Sequence, residues 1–329
     1  MVHAFKSAEC FYLYRSPDSA EIISGRTDGY LEGLGEPGFV IGMFLPDLPV
    51  ITIPYAGTNK KESDSLYTMP TSSTTCMDYC EEVRSIVKII EAGKGNKIVA
   101  ARVKLMNETL DVEKKFQELC FRFSDAYVFC FSTPATGCWI GASPELLLEG
   151  KDNMLGSMAL AGTRVAGSLF DWDVKNCEEQ DIVQEYICQI FEKNGLIPHK
   201  GETHTKRAGG IEHICTPISV PAENITEDRL ENLLKSLSPT PALCGNPKDF
   251  AIEQILKLEK FERGCYGGFC GPYNGVKDFV FNVVLRCASV EENRYCLYAG
   301  GGITSKSKEY EEWEETERKL NSFIGDKLT

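Results

Sequence analysis

The chain has 329 residues and a mass of 36.6 kDa, and its 43% hydrophobic content is enough to bury a sizeable core in one large domain or two ordinary ones. With 35 basic and 48 acidic residues it carries a net charge of −13, which argues against nucleic acid or an anionic membrane surface as a main partner. An anionic small ligand would then have to be met by a few placed Arg or Lys side chains or by a divalent cation.

In chain order, the opening MVHAFKSAECFYLYRS has no apolar run of the signal-peptide kind, and GFVIGMFLPDLPVITIPYAG is broken by prolines and an aspartate, so a soluble, cytoplasmic protein is expected. Residues 58–77 are polar and rich in Ser and Thr, as in a surface loop. MDYCEEVRSIVKIIEAGKG then reads as a helix, with Asp78 as N-cap, Val83, Ile86, Val87 and Ile90 at helical spacing, and Gly93 and Gly95 as the stop. NKIVAARVKL alternates as a strand whose one face carries Lys97, Val99, Ala101, Val103 and Leu105, so a lysine heads an otherwise apolar face.

AYVFCFST and CWIGASPELLLEG are strand-like, LAGTRVAG reads as a loop, and NCEEQDIVQEYICQIFEKNG reads as a helix ending at Gly195. After the polar loop KGETHTKRAGG and the turn-rich SPTPALCGNP comes an amphipathic helix that opens at Pro247 and closes before Gly264. YGGFCGPY, DFVFNVVLRCASV and YCLYAGGGI follow as antiparallel pieces, and the last helix contains EEWEETERKL. No fixed repeat, low-complexity tract or long linker interrupts this order, so a single α/β domain spanning 1–329 with long mixed sheets is expected.

Helical phase sorts the acidic stretch. At about 100° per residue, Trp313, Thr316, Leu320 and Phe323 form the core stripe, Glu311, Glu314 and Glu317 point to solvent, and Glu312, Glu315 and Lys319 line one border. Glu179 stands within the stripe of Ile182, Val183, Tyr186 and Ile190, where a carboxylate is costly unless paired, placed at a helix N-terminus or metal-bound. Lys97 and Arg286 raise the same question with the opposite sign, and a buried salt bridge is the ordinary answer for each. The fourteen cysteines are scattered without a CxxC spacing, and neither Cys76 and Cys80 nor His199 and His204 form a zinc pattern. There is no GxGxxG after a strand, no Walker lysine, no GxSxG and no HExxH, so these residues by themselves name no substrate.

Five motifs, in order and spacing, go further: GASPELLLEG, LAGTRVAG, SPTPALCGNPKDFAIEQILKLEKFERGCYGG, VVLRCA and YAGGGITSKSKEYEEWEETERKL. Over roughly residues 95–322 the chain resembles the chorismate-utilising enzymes, and within them isochorismate synthases of the menaquinone type. The resemblance implies an α+β fold of two large antiparallel sheets packed together with helices outside, the first 94 residues adding strands and a helix. It also implies a Mg2+-dependent isomerase acting on chorismate, monomeric or at most a weak homodimer. Carried onto matching positions, Lys97 is implied as the base that activates water and Glu145 as the acid that protonates the leaving hydroxyl. A lysine in that role needs desolvation or neighbouring positive charge. Glu179 and Glu315 match the Mg2+ carboxylates with Glu312 in support, and Gly162, Thr163, Arg286, Gly300 and Lys319 match positions that hold the substrate carboxylates.

Ser238 and Asn176 depart from the pattern, standing where His and an acidic residue are common. Lys97 argues against anthranilate synthase and Ala161 against aminodeoxychorismate synthase. A salicylate synthase, suggested by Tyr266 and Leu285, and a catalytically silent chorismate-binding protein remain as alternatives.

Overall fold

The protein is represented by a computed structural model that describes residues 10–56, 65–208 and 211–325. The expected loop at 58–77 therefore lies partly outside the described residues, as does the Gly209–Gly210 end of the KGETHTKRAGG segment. In chain order come β1 (Cys10–Arg15), β2 (Ile23–Thr27), β3 (Leu31–Glu32), β4 (Gly38–Gly42), β5 (Ile51–Pro54), α1 (Cys76–Glu91), β6 (Lys97–Met106), α2 (Val112–Arg122), β7 (Tyr127–Thr133), β8 (Gly137–Ser143), β9 (Leu146–Lys151) and β10 (Met154–Val165). They are followed by α3 (Val174–Lys193), β11 (His199–Lys200), β12 (His204–Ala208), β13 (Ile211–Pro221), α4 (Glu227–Leu237), β14 (Gly245–Asn246), α5 (Lys248–Leu258), β15 (Phe269–Tyr273), β16 (Phe279–Val283), β17 (Cys287–Val290), β18 (Tyr295–Ile303) and α6 (Glu309–Ile324).

The strands form two sheets. The first runs β14-β6-β18-β17-β8-β7-β1-β2 and the second β11-β13-β10-β9-β16-β15-β4-β5-β3, with β12 added on β13. Every strand pairing is antiparallel, so the expectation of mixed sheets is corrected. The inner faces meet in one apolar core that includes Phe39, Phe129, Phe131, Trp139 and Phe281. A buried aromatic of this size contributes roughly 1.5–3 kcal/mol, so this layer dominates the driving force.

Alternation along β6 follows from its place between layers. Ile98 and Ala100 pack outward against α1 and α5, whereas Ala101 and Val103 enter the inter-sheet core. Lys97 has the parity of Ala101 and Val103, so it enters the space between the sheets at one end. The outer face of the first sheet is covered further along by α2 and α6, through Phe116, Leu119, Leu320 and Phe323.

Several boundaries move for local reasons. Helix α1 begins three residues earlier than expected because Thr75, not Asp78, is its N-cap and accepts the Asp78 amide. LAGTRVAG is no loop through its length: β10 continues to Val165 across a register shift between Ala161 and Arg164, where Gly162 has φ +69°. The 200–210 segment contributes β11 and β12, and α2 and α4 are added to the expected helices. In α3 the buried residues are Gln180, Val183, Ile187, Cys188 and Phe191, with Glu179 half-buried beside them. The stripe is rotated from the expected one, and Gln180 enters it by donating its Nε2 to the Ala159 carbonyl and the Thr216 hydroxyl; a carboxylate could not donate to that carbonyl.

Candidate functional site

The site forms where the chain passes from one sheet to the other. β8 ends at Ser143 in the first sheet and β9 begins at Leu146 in the second, leaving Glu145 in the crossing. β16 ends at Val283 in the second sheet and β17 begins at Cys287 in the first, leaving Leu285 and Arg286 in another. The Val283 amide donates to the Glu145 carbonyl at 3.0 Å and the Ala142 amide to the Arg286 carbonyl at 3.3 Å, so the two crossings lie side by side. Strand pairing stops at each and frees the side chain from sheet geometry. Arg286 takes φ +45°, a conformation unusual for a residue other than glycine.

Lys97 reaches the same space from β6. It passes over Gly302 of β18, where a Cβ would stand 2.5 Å from Lys97 Cε, and a Cβ at Gly300 would stand 3.0 Å from the Tyr266 hydroxyl. The glycine run of YAGGGI is thus a requirement of close approach. Tyr266 is buried and stacks on Tyr298 at 5.6 Å. Lys97 and Glu145 are each 4% exposed. Burial pushes the Glu145 carboxyl up to about 7, against the pull of Lys206, Lys97 and the Thr240 hydroxyl.

A second group is formed by Gly162, Thr163, Asn176, His213 and Arg286. Asn176 Oδ1 accepts the Thr163 amide at 2.9 Å, which fixes the turn that Gly162 permits. His213 Nδ1 lies 2.7 Å from the Gly162 carbonyl, and since a carbonyl only accepts, Nδ1 carries the proton and Nε2 faces Arg286 at 3.5 Å. Burial holds the imidazole down at about 4, with Arg286, Lys319 and Lys206 adding to the effect against the Gly162 bond, so it is neutral near pH 7. Burial also lowers the Arg286 guanidinium, to about 10, which leaves it charged.

Helix α6 supplies the third wall. Lys319 Nζ donates to the Gly300 carbonyl at 2.7 Å and pairs with Glu315 at 2.8 Å. Glu312 is 6% exposed, accepts the Ser307 hydroxyl at 2.7 Å, and would lie 3.0 Å from a Cβ at Gly301. The border of Glu312, Glu315 and Lys319 is thus beside β18, but two parts of the phase reading change. Glu317 does not simply face solvent, because it pairs with Arg102 and Lys104, and Trp313 is half-buried under the Arg102 guanidinium at 3.7 Å.

Among the described residues no group of three or more His, Cys, Asp or Glu is gathered closely enough to hold a metal ion. Mg2+ asks for less, since one or two carboxylates with water and a ligand oxygen suffice, and the carboxylates of Glu179 and Glu315 are donors of the right hardness. Glu179 sits one turn beyond Asn176 on α3. The donor chemistry fits Mg2+; a preassembled three-carboxylate cage is not present. Sequence reading missed His213, Lys206 and Thr240, and treated Asn176 only as a departure. Thr240 Oγ1 is buried and makes no hydrogen bond within normal geometry, although it is close enough to favour the charged form of Glu145. All cysteines are free thiols, and no described helix is long and apolar enough to cross a membrane.

A family model described as "Chorismate binding enzyme" matches residues 52–325. Isochorismate synthase 2, chloroplastic, of Arabidopsis thaliana is 32% identical over 214 residues, covering 60% of this chain and 37% of that protein. Isochorismate synthase MenF of Haemophilus influenzae is 29% identical over 259 residues, covering 75% of this chain and 59% of that protein. The chain therefore matches less than two thirds of the length of either relative. The solved menaquinone-specific isochorismate synthase MenF of Escherichia coli superposes with a TM-score of 0.82 at 20% identity, over 97% of this chain and 90% of that one, a likeness of fold. The chain belongs to the chorismate binding enzyme family.

Proposed function

We propose that the protein is an isochorismate synthase, which adds water at C2 of chorismate as the C4 hydroxyl leaves. The observation that carries this reading is the juxtaposition of two deeply buried groups, Lys97 and a Glu145 carboxyl held at about 7. The reaction needs one group to take a proton from water and another to give one to the departing hydroxyl, both near neutral pH. Glu145 is the acid: at pH 7 a substantial share of it holds its proton, which an exposed glutamate would have lost. Lys97 is the base, placed at the mouth of the inter-sheet core by the parity of β6 and given room by Gly302.

The substrate is a dianion, and the site reverses the charge of the whole chain locally with Arg286, Lys319 and Lys97. Arg286, oriented through neutral His213, and Lys319 hold the carboxylates, together with the backbone of Gly162, Thr163 and Gly300. Tyr266 and Leu285 bound the ring. Glu179 and Glu315 would hold Mg2+, with Glu312 in support; the ion, when bound, neutralises a substrate carboxylate. Menaquinone supply is the pathway we favour, on overall likeness alone.

Purified protein incubated with chorismate and Mg2+ tests the reading. Isochorismate as sole product supports it; salicylate with pyruvate would replace it by a salicylate synthase, and no turnover would leave a binding protein. Activity should cease in EDTA and return with Mg2+.

A further inference from the structure

Lys206 belongs to the short strand β12, which pairs antiparallel with β13 so that Lys206 stands directly opposite His213. Directly opposed residues project to the same face, so Lys206 shares the wall of His213, whose ring is bound to Gly162 and faces Arg286. The side chain is half-buried, and the hydrogen bond found for its ammonium among the described residues goes to the Met158 thioether at 3.5 Å. A thioether is a weak acceptor and leaves an ammonium with three donors largely unsatisfied. Met158 lies on β10, the strand that continues to Gly162. The ammonium is also the leading positive influence on Glu145, ahead of Lys97, and it acts on His213 as well, so it is within electrostatic reach of both.

We propose that Lys206 binds a carboxylate of the substrate from the β12 side and is a specificity residue for dianionic ligands. The assignment rests on the isochorismate synthase reading above. A half-buried cation whose hydrogen bond among the described residues goes to a sulfur atom is completed by an anion from outside, and the ligand that the site must accept carries two. Substrate binding then has a second effect. With its charge engaged by the ligand, Lys206 draws less on Glu145, so the bound substrate favours the protonated acid that the reaction uses.

The test compares wild type with Lys206→Met and Lys206→Arg, measuring kcat, KM for chorismate and the pH profile of kcat/KM, with thermal unfolding as a check on the fold. Loss of one charge-assisted contact is expected to raise KM about ten- to a hundredfold in Lys206→Met. Lys206→Arg should recover most of that loss. Removing the cation should also carry the high-pH limb of kcat/KM upward, because Glu145 in the free enzyme loses its largest positive influence; a merely structural role would lower activity without moving that limb. An unchanged KM, or a raised KM with an unmoved limb, in a protein whose wild type turns over chorismate overturns the assignment alone. If the wild type neither binds nor converts chorismate, the functional reading fails and the assignment falls with it.

Discussion

Two buried groups of charges meet different fates in this fold. Glu259 and Arg263, each with a side chain 2% exposed, are paired within one helical-type spacing, and every nitrogen of the guanidinium donates: it also bonds the Leu243 carbonyl at 2.7 Å and the Val99 carbonyl at 2.8 Å, while Glu259 accepts the Ala101 amide at 2.9 Å. Lys97 and Glu145 are as deeply buried, yet no salt bridge within 4 Å joins either to a described residue. The first pair fastens β6 from behind and is a structural device. The second has no such ion pair: Lys97 heads the same strand, and Glu145 lies desolvated in the nearby sheet crossing, where burial outweighs the pull of Lys206, Lys97 and the Thr240 hydroxyl. Such an arrangement costs stability and is retained where chemistry needs a perturbed acid.

The contrast can be broken most directly by removing each member. Lys97→Met and Glu145→Gln are each expected to lower chorismate turnover by roughly 10²–10⁴-fold, while the melting temperature stays level or rises because a buried charge is gone. Wild-type turnover in either variant would end the comparison. Glu259→Gln should do the reverse, costing about 3–5 kcal/mol in urea unfolding because Arg263 is left buried without its counter-ion.

Dependence on pH sharpens the same distinction. Glu145 has its folded value raised to about 7 from an ordinary 4.5, so the folded state holds a proton that the unfolded chain has lost. Its contribution to stability is therefore complete below about 4.5 and is lost as pH rises through about 7. Activity that needs the protonated acid should fall through the same window in kcat/KM profiles, and Glu145→Gln should remove the corresponding slope in stability. The smallest effect is expected at the rim: Glu317→Gln takes one partner from Arg102 but leaves Thr316 and the Trp313 face, so a loss of about 1 kcal/mol is expected by thermal unfolding.

Part of the site was readable from local pattern. The border position of Glu312, Glu315 and Lys319 follows from helical phase, and the lysine at the head of an apolar strand face follows from alternation; both are repeats along one element, which a sequence displays directly. The helices α2 and α4 are absent from the sequence reading although Val112, Phe116 and Leu119 in one and Leu230, Leu233, Leu234 and Leu237 in the other have helical spacing. The roles implied for Lys97 and Glu145 came from motif resemblance, not from periodicity.

By itself the sequence determined the elements with strong periodicity, the need for a local reversal of its negative charge, and the family. Tertiary structure decided the rest. That β10 runs through LAGTRVAG depends on pairing with β13 some fifty residues on. That Gln180, not Glu179, enters the core depends on the carbonyl and hydroxyl waiting there. His213 and Lys206 stand opposite each other only because β12 and β13 pair, and His213 meets Arg286 only because the chain crosses between the sheets there. Burial and Coulomb interactions depend on distance in space, and a single chain records only distance along itself.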